Sequence, residues 1–147
     1  MTNPETTPEF TLKSTQIIAL GLIAGVVSTI GIVIFLITNE IIGVTVQGQT
    51  VSLVMAGITL AVLCAVPAIP RLISKPNDPE KLLLSWQQQV VIQMALIEGA
   101  ALSNAVACLV ERHWWSFALM LGTLGVMLWK FPTRSRFEQF LEAHKTH

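Results

Sequence analysis

Long apolar runs alternate with short polar connections along this chain. A helix needs about 20 predominantly apolar residues to cross a bilayer, with a range of about 17–25. The apolar runs cover residues 16–38, 51–69, 90–110 and 114–131. The first two contain no charged residue, the third contains Glu98, and the fourth contains Lys130 near its end. The pattern therefore predicts four membrane-spanning helices.

Prolines and short connections define the ends of these helices. Pro67 and Pro70 are expected to close the second helix, because proline cannot donate the next helical hydrogen bond. Asp78-Pro79 predicts the start of the third helix, with Asp78 as a cap. Only residues 111–113 separate the third and fourth runs, so these two helices must form an antiparallel hairpin.

The predicted fold is all-α, a membrane-spanning four-helix bundle followed by a short amphipathic helix. We expect residues 1–14 to form a flexible tail, residues 15–131 the transmembrane domain and residues 132–147 a cytoplasmic tail. In the last segment, Phe137, Phe140 and Leu141 share one helical face. This face predicts a helix that lies along the membrane surface, or alternatively one that docks on a partner.

Basic residues predict the orientation. Arg112 lies on one side of the predicted membrane domain, and the other eight Lys and Arg residues lie on the opposite side. Those eight are Lys13, Arg71, Lys75, Lys81, Lys130, Arg134, Arg136 and Lys145. Because cytoplasmic loops are enriched in basic residues, both termini are expected in the cytoplasm.

Composition agrees with a membrane protein and argues against several functions. Charged residues make up 12% of the chain, against about 25% in soluble domains. The net charge is zero, which gives no indication of nucleic-acid binding. Two cysteines lack zinc-site spacing, and the apolar runs contain no His, Asp or Arg to support catalysis. We therefore expect a non-enzymatic protein without a metal or cofactor.

Glu98 is the leading candidate functional residue. A carboxylate at the centre of a bilayer costs about 2.5–3.5 kcal/mol on insertion scales, so it is a functional-site candidate by default. Desolvation disfavours the charged form, and we expect a protonated Glu98 that donates a hydrogen bond, with Thr59 as the first candidate acceptor. Alternatively, Glu98 binds and releases H⁺ or Na⁺, or it pairs with a cation on another protein or on a ligand.

Other polar residues place limits on this site. The predicted midplane layer contains Glu98 together with Ser28, Thr29, Thr59 and Thr123. On a helical wheel, Gln93 and Asn104 share a face that is rotated about 120–140° from Glu98. We therefore expect the third helix to contact different neighbours with these two faces.

Small residues recur about every four positions and predict close helix packing, either within the chain or between copies of it. The predicted packing positions are Gly21, Gly25, Gly57, Gly99, Ser103 and Gly122.

Two resemblances carry implications of their own. The segment Ala95–Leu102 resembles the carboxylate helix of rotary ATP synthase proteolipids, which implies H⁺ or Na⁺ binding at Glu98. The proteolipids of similar size carry their carboxylate on the fourth helix, whereas Glu98 is on the third. The whole chain, with Ile97-Glu98-Gly99 and Phe131-Pro132-Thr133, resembles uncharacterised small four-span bacterial membrane proteins. That resemblance implies a bacterial inner-membrane location and no activity.

The sequence thus leads to two functional hypotheses. The first is a non-enzymatic integral membrane subunit, which acts in a homo-oligomer or with a membrane-protein partner and contains a protonated Glu98. The alternative is a proteolipid-like protein that binds or translocates H⁺ or Na⁺ through Glu98. In both, the lipid bilayer is the main partner, and nucleic acid is not one.

Overall fold

A computed structural model of the protein describes residues 7–40, 48–73 and 78–145, and the regular structure within these ranges is helical. The helices are α1 Pro8–Thr38, α2 Thr50–Ala65, α3 Ile69–Leu72, α4 Pro79–Glu111, α5 Trp114–Trp129 and α6 Arg134–Lys145. A single 3-10 turn, Val66–Ala68, joins α2 to α3. The predicted all-α class is confirmed.

Three helical segments in the described ranges are long and apolar enough to cross a membrane. They are Pro8–Thr38, Thr50–Leu72 and Lys81–Glu111. The predicted fourth span at 114–131 is shorter than expected, because α5 ends at Trp129 after 16 residues, about 24 Å. The chain then turns, and α5 and α6 form a pair bent by 61° that counts as a fourth candidate only if taken together.

Two predicted boundaries differ from the observed ones. Residues 8–14, expected in a flexible tail, begin α1, because Pro8 occupies a first-turn position where its missing N–H is not needed. Residues 1–6 of that tail lie outside the described part. At the other boundary, the helical path continues through Pro67 and Pro70 to Leu72, since each proline again starts a new helical turn.

Helix α4 is central and contacts α1, α2 and α5. Two contacts between α4 and α1 show how these helices are aligned. The side-chain amide of Gln87 donates to Ser14 Oγ at 3.4 Å, and Glu98 lies against Gly25. Both contacts have the same offset in sequence, so α1 and α4 run parallel.

Helix α2 runs antiparallel to α4. The start of α2 lies beside Glu111, at the end of α4, and Thr59 lies beside Asn104, further back along α4. Together with the two-residue connection from α4 to α5, these contacts define a hairpin end of the molecule, which contains residues 111–114 and the start of α2. The opposite, tail end contains the start of α1, the start of α4 and α6.

The tail helix α6 packs on the chain itself. Phe137 is only 4% exposed and forms a cluster with the buried side chains of Leu83 and Trp86. The rings of Trp86 and Phe137 meet edge to face with centroids 4.7 Å apart. Leu12, Val90, Phe140 and Leu141 border this cluster. The predicted amphipathic helix is present, and its apolar face packs on the N-terminal parts of α1 and α4.

Candidate functional site

Glu98 occupies a notch between α4 and α1. Its side chain is half-buried, and its Oε1 atom lies 2.9 Å from the point where a Cβ atom at position 25 would stand. Because Gly25 has no side chain, the carboxyl group fits against the backbone of α1. The apolar run 90–110 contains a single carboxyl, and the structure places it against Gly25.

The Glu98 carboxyl has no polar partner among the described residues. Within the described ranges, neither an ion pair nor a hydrogen bond reaches Glu98. A polar group in an apolar environment costs free energy unless it is hydrogen-bonded. The hydrogen-bonding capacity of Glu98 is therefore not used within the described chain.

The predicted pairing of Glu98 with Thr59 is wrong. The Thr59 hydroxyl donates to the Met55 carbonyl at 2.9 Å and accepts a hydrogen bond from Asn104 Nδ2. Asn104 also donates to the Ala100 carbonyl at 2.8 Å. The reason is the rotation of α4: its Asn104 face meets α2, whereas its Glu98 face meets α1. This division agrees with the two faces expected from the helical wheel.

The other hydroxyls of the predicted midplane layer do not assemble around Glu98. Thr29 donates to a carbonyl one turn earlier in α1 at 2.9 Å, and Thr123 donates to the Met120 carbonyl at 2.7 Å. Ser28 is on the exposed side of α1. The depth that the sequence predicts for these residues therefore does not produce a common site, because each threonine donates its hydroxyl hydrogen bond within its own helix.

Most of the predicted packing glycines do not pack against another helix within the described ranges. A Cβ atom at Gly25 would meet Glu98, but one at the other four would meet nothing within 4 Å, and these four are exposed: Gly21, Gly57, Gly99 and Gly122. Ser103 donates to the Gly99 carbonyl at 2.8 Å within α4. Among the described residues, Gly25 is thus the one of these five glycines with a close contact inside the chain, and the other four face outwards.

Glu111 has a structural role that the sequence did not reveal. Its two carboxylate oxygens accept the backbone N–H groups of Val51 at 2.9 Å and Ser52 at 2.8 Å. The first N–H groups of a helix have no partner inside the helix, and a negative charge there also interacts favourably with the helix dipole. Glu111, 60 residues away, therefore caps α2. Only the antiparallel packing of α2 on α4 brings the two together.

Metal chemistry has no support in the described ranges, where no group of three His, Cys, Asp or Glu side chains could hold an ion. Comparison with known proteins adds no identity: no protein family, curated protein or solved structure matches the chain. The Glu98 notch and the surfaces around it are therefore the features of the molecule that bear on its function.

Proposed function

We propose that this protein is a non-enzymatic integral membrane subunit that works in an oligomer. In this proposal the spans are α1, the segment from α2 to α3, α4 and α5. Helix α5 is short for a span, and local thinning of the bilayer can accommodate it. The concentration of basic residues at the tail end supports cytoplasmic termini, in a bacterial inner membrane.

The half-buried, unpartnered Glu98 carboxyl carries this proposal. Without a cation beside it, the carboxyl is protonated in lipid, and its hydroxyl needs an acceptor. The described chain supplies none, so a helix of a second copy does. We call the surface formed by Gly21, Gly25, Glu98 and Gly99 the Glu98 groove.

Exposed glycines make this groove accessible to another helix. Gly21 lies one turn before Gly25, and Gly99 follows Glu98 directly, and neither has a neighbour where a Cβ atom would stand. Small residues let helix backbones approach closely, which favours association in lipid, where the hydrophobic effect between helices is absent. The groove therefore combines close backbone approach with a hydrogen-bond donor.

Native mass spectrometry of the full chain in mild detergent and in nanodiscs tests the assembly. Gly99→Leu should dissociate the oligomer, because the new side chain fills the groove. Gly57→Leu is the matched control, since Gly57 is another exposed helical glycine but lies on α2. A wild type that is monomeric in lipid, or equal effects of the two leucines, would contradict the proposal.

The hydrogen bond itself is tested at Glu98. Glu98→Ala should weaken association by about 3–20-fold, the equivalent of about 0.6–1.7 kcal/mol for a hydrogen bond between membrane helices. Glu98→Gln retains a donor and should weaken it less. The infrared carboxyl stretch in lipid, with Glu98→Gln as the blank, should show a protonated acid at neutral pH. A carboxylate band instead would rule out the protonated donor.

A second candidate function is H⁺ or Na⁺ binding and translocation by a proteolipid-like protein. The same observation favours it, because a half-exposed carboxyl without an internal partner is free to exchange an ion. Liposomes that contain the protein should then show H⁺ or Na⁺ flux, which Glu98→Gln abolishes and Gly57→Leu preserves. Absence of flux in wild-type liposomes would eliminate this candidate.

A further inference from the structure

A cleft of about 460 Å³ lies between the start of α1 and α6 at the tail end. Its lining residues are Pro8, Glu9, Leu12, Lys13, Gln16, Arg134, Phe137, Glu138 and Leu141. Phe137, whose ring meets that of Trp86, is buried, and Leu12 and Leu141 are half-buried. The four charged lining residues are exposed, and we call them the rim of the cleft. The side-chain amide of Gln16 donates to the Pro132 carbonyl at 3.0 Å. This hydrogen bond connects α1 to the segment just before α6.

We propose that this cleft binds the headgroup of a zwitterionic phospholipid that contains a primary amine, of the phosphoethanolamine type. The depth of the cleft supports a lipid. The uncharged run of α1 begins at Gln16, and the cleft occupies the two turns before it. Nearby, the exposed Trp129 ring lies 5.7 Å from the Lys130 ammonium. Tryptophan and lysine are typical of the headgroup level of a membrane.

The charges at the rim favour a zwitterion. Two cations, Lys13 and Arg134, and two anions, Glu9 and Glu138, make the rim neutral overall. Lys13 has no ion pair among the described residues, and it can bind a phosphate. Arg134 binds Glu138 at 2.8 Å through Nε alone, so its other N–H groups can also donate to phosphate.

The two carboxylates distinguish between zwitterionic headgroups. A primary ammonium donates hydrogen bonds to Glu9 and Glu138, whereas a quaternary ammonium has no N–H to donate. An anionic headgroup without an amine would leave these carboxylates facing like charge. The rim therefore favours phosphatidylethanolamine over both phosphatidylcholine and phosphatidylglycerol.

The test is competition between these three lipids, with identical acyl chains, for the full chain in mild detergent, read by native mass spectrometry. Phosphatidylethanolamine should bind about fivefold more tightly, equivalent to about 1 kcal/mol for partly exposed charge pairs. Lys13→Gln should remove this preference. Lys81→Gln, at an exposed lysine of the same end that pairs with Asp78, should retain it.

A second pair of variants and a second measurement make the result independent of one substitution. Arg134→Gln should weaken phosphatidylethanolamine binding. Arg136→Gln should not, because Arg136 is an exposed arginine of the same helix that does not line the cleft. In nanodiscs, amides of residues 8–16 should exchange more slowly with phosphatidylethanolamine than with phosphatidylcholine. Equal binding of the three lipids, preference for phosphatidylglycerol, or unchanged amide exchange would overturn the proposal.

Discussion

Replacement of Gly25 by alanine tests the contact on which the candidate site depends. A Cβ atom there would stand 2.9 Å from Glu98 Oε1, which is too close, so the carboxyl must move. Since this atom is the end of a flexible side chain, the movement costs about 0.5–1.5 kcal/mol, the energy of an off-rotamer torsion. Replacing glycine by alanine inside a helix contributes about 1 kcal/mol in the opposite direction. Gly25→Ala should therefore leave stability nearly unchanged.

The coupling between the two positions is the quantity to measure. In a Glu98→Ala background there is no carboxyl to displace, so Gly25→Ala should stabilise the protein by about 1 kcal/mol. The double-mutant cycle should thus give a coupling energy of about 1 kcal/mol. Gly31→Ala is the control, because Gly31 is an exposed glycine of α1 outside the Glu98 groove, and a Cβ atom there meets nothing within 4 Å. It should stabilise both backgrounds equally.

Reversible unfolding in mixed detergent micelles, followed by far-ultraviolet circular dichroism, supplies the four free energies. A coupling energy below about 0.3 kcal/mol, within the usual additivity of independent sites, would show that Glu98 does not lie against Gly25. The same conclusion would follow if Gly25→Ala and Gly31→Ala stabilised the wild type to the same extent.

Three further substitutions address the other contacts. Glu111→Ala should destabilise the protein by about 2 kcal/mol through loss of the α2 cap, and Glu111→Gln by less; equal stability of Glu111→Ala and wild type would refute the cap. Asn104→Ala should cost about 0.6–1.7 kcal/mol because Thr59 loses its interhelical partner, and the same cost in a Thr59→Ala background would show that the two are not coupled. Phe137→Ala should cost about 3 kcal/mol and speed amide exchange in α6, and unchanged exchange would mean that Trp86 does not anchor the tail.

Local sequence determined the helices and most of their ends. The apolar runs predict α1, α2 and α4 because a bilayer requires about 20 apolar residues per helix. The Asp78-Pro79 start of α4 also matches, since a helix start depends on a few adjacent residues. The sequence could not predict that α5 ends after 16 residues or that the helical path continues past Pro67. Both ends depend on where the folded chain changes direction, which the composition of the apolar runs does not specify.

The tertiary structure alone decided which residues meet at the candidate site. Sequence identified Glu98 by its cost in lipid, but depth alone suggested Thr59 as its partner. The rotation of α4 instead directs Glu98 to Gly25 and Asn104 to Thr59.

The contact between Glu111 and the start of α2 also results from the packing of segments that are distant in sequence. The long helices of this chain are apolar on most sides, so the hydrophobic pattern sets where a helix begins and ends but not which side faces its neighbours. The packing of the helices against one another sets their rotation and their relative shift along the axis. The contacts of Glu98 and Asn104 therefore depend on the tertiary structure and not on the local sequence.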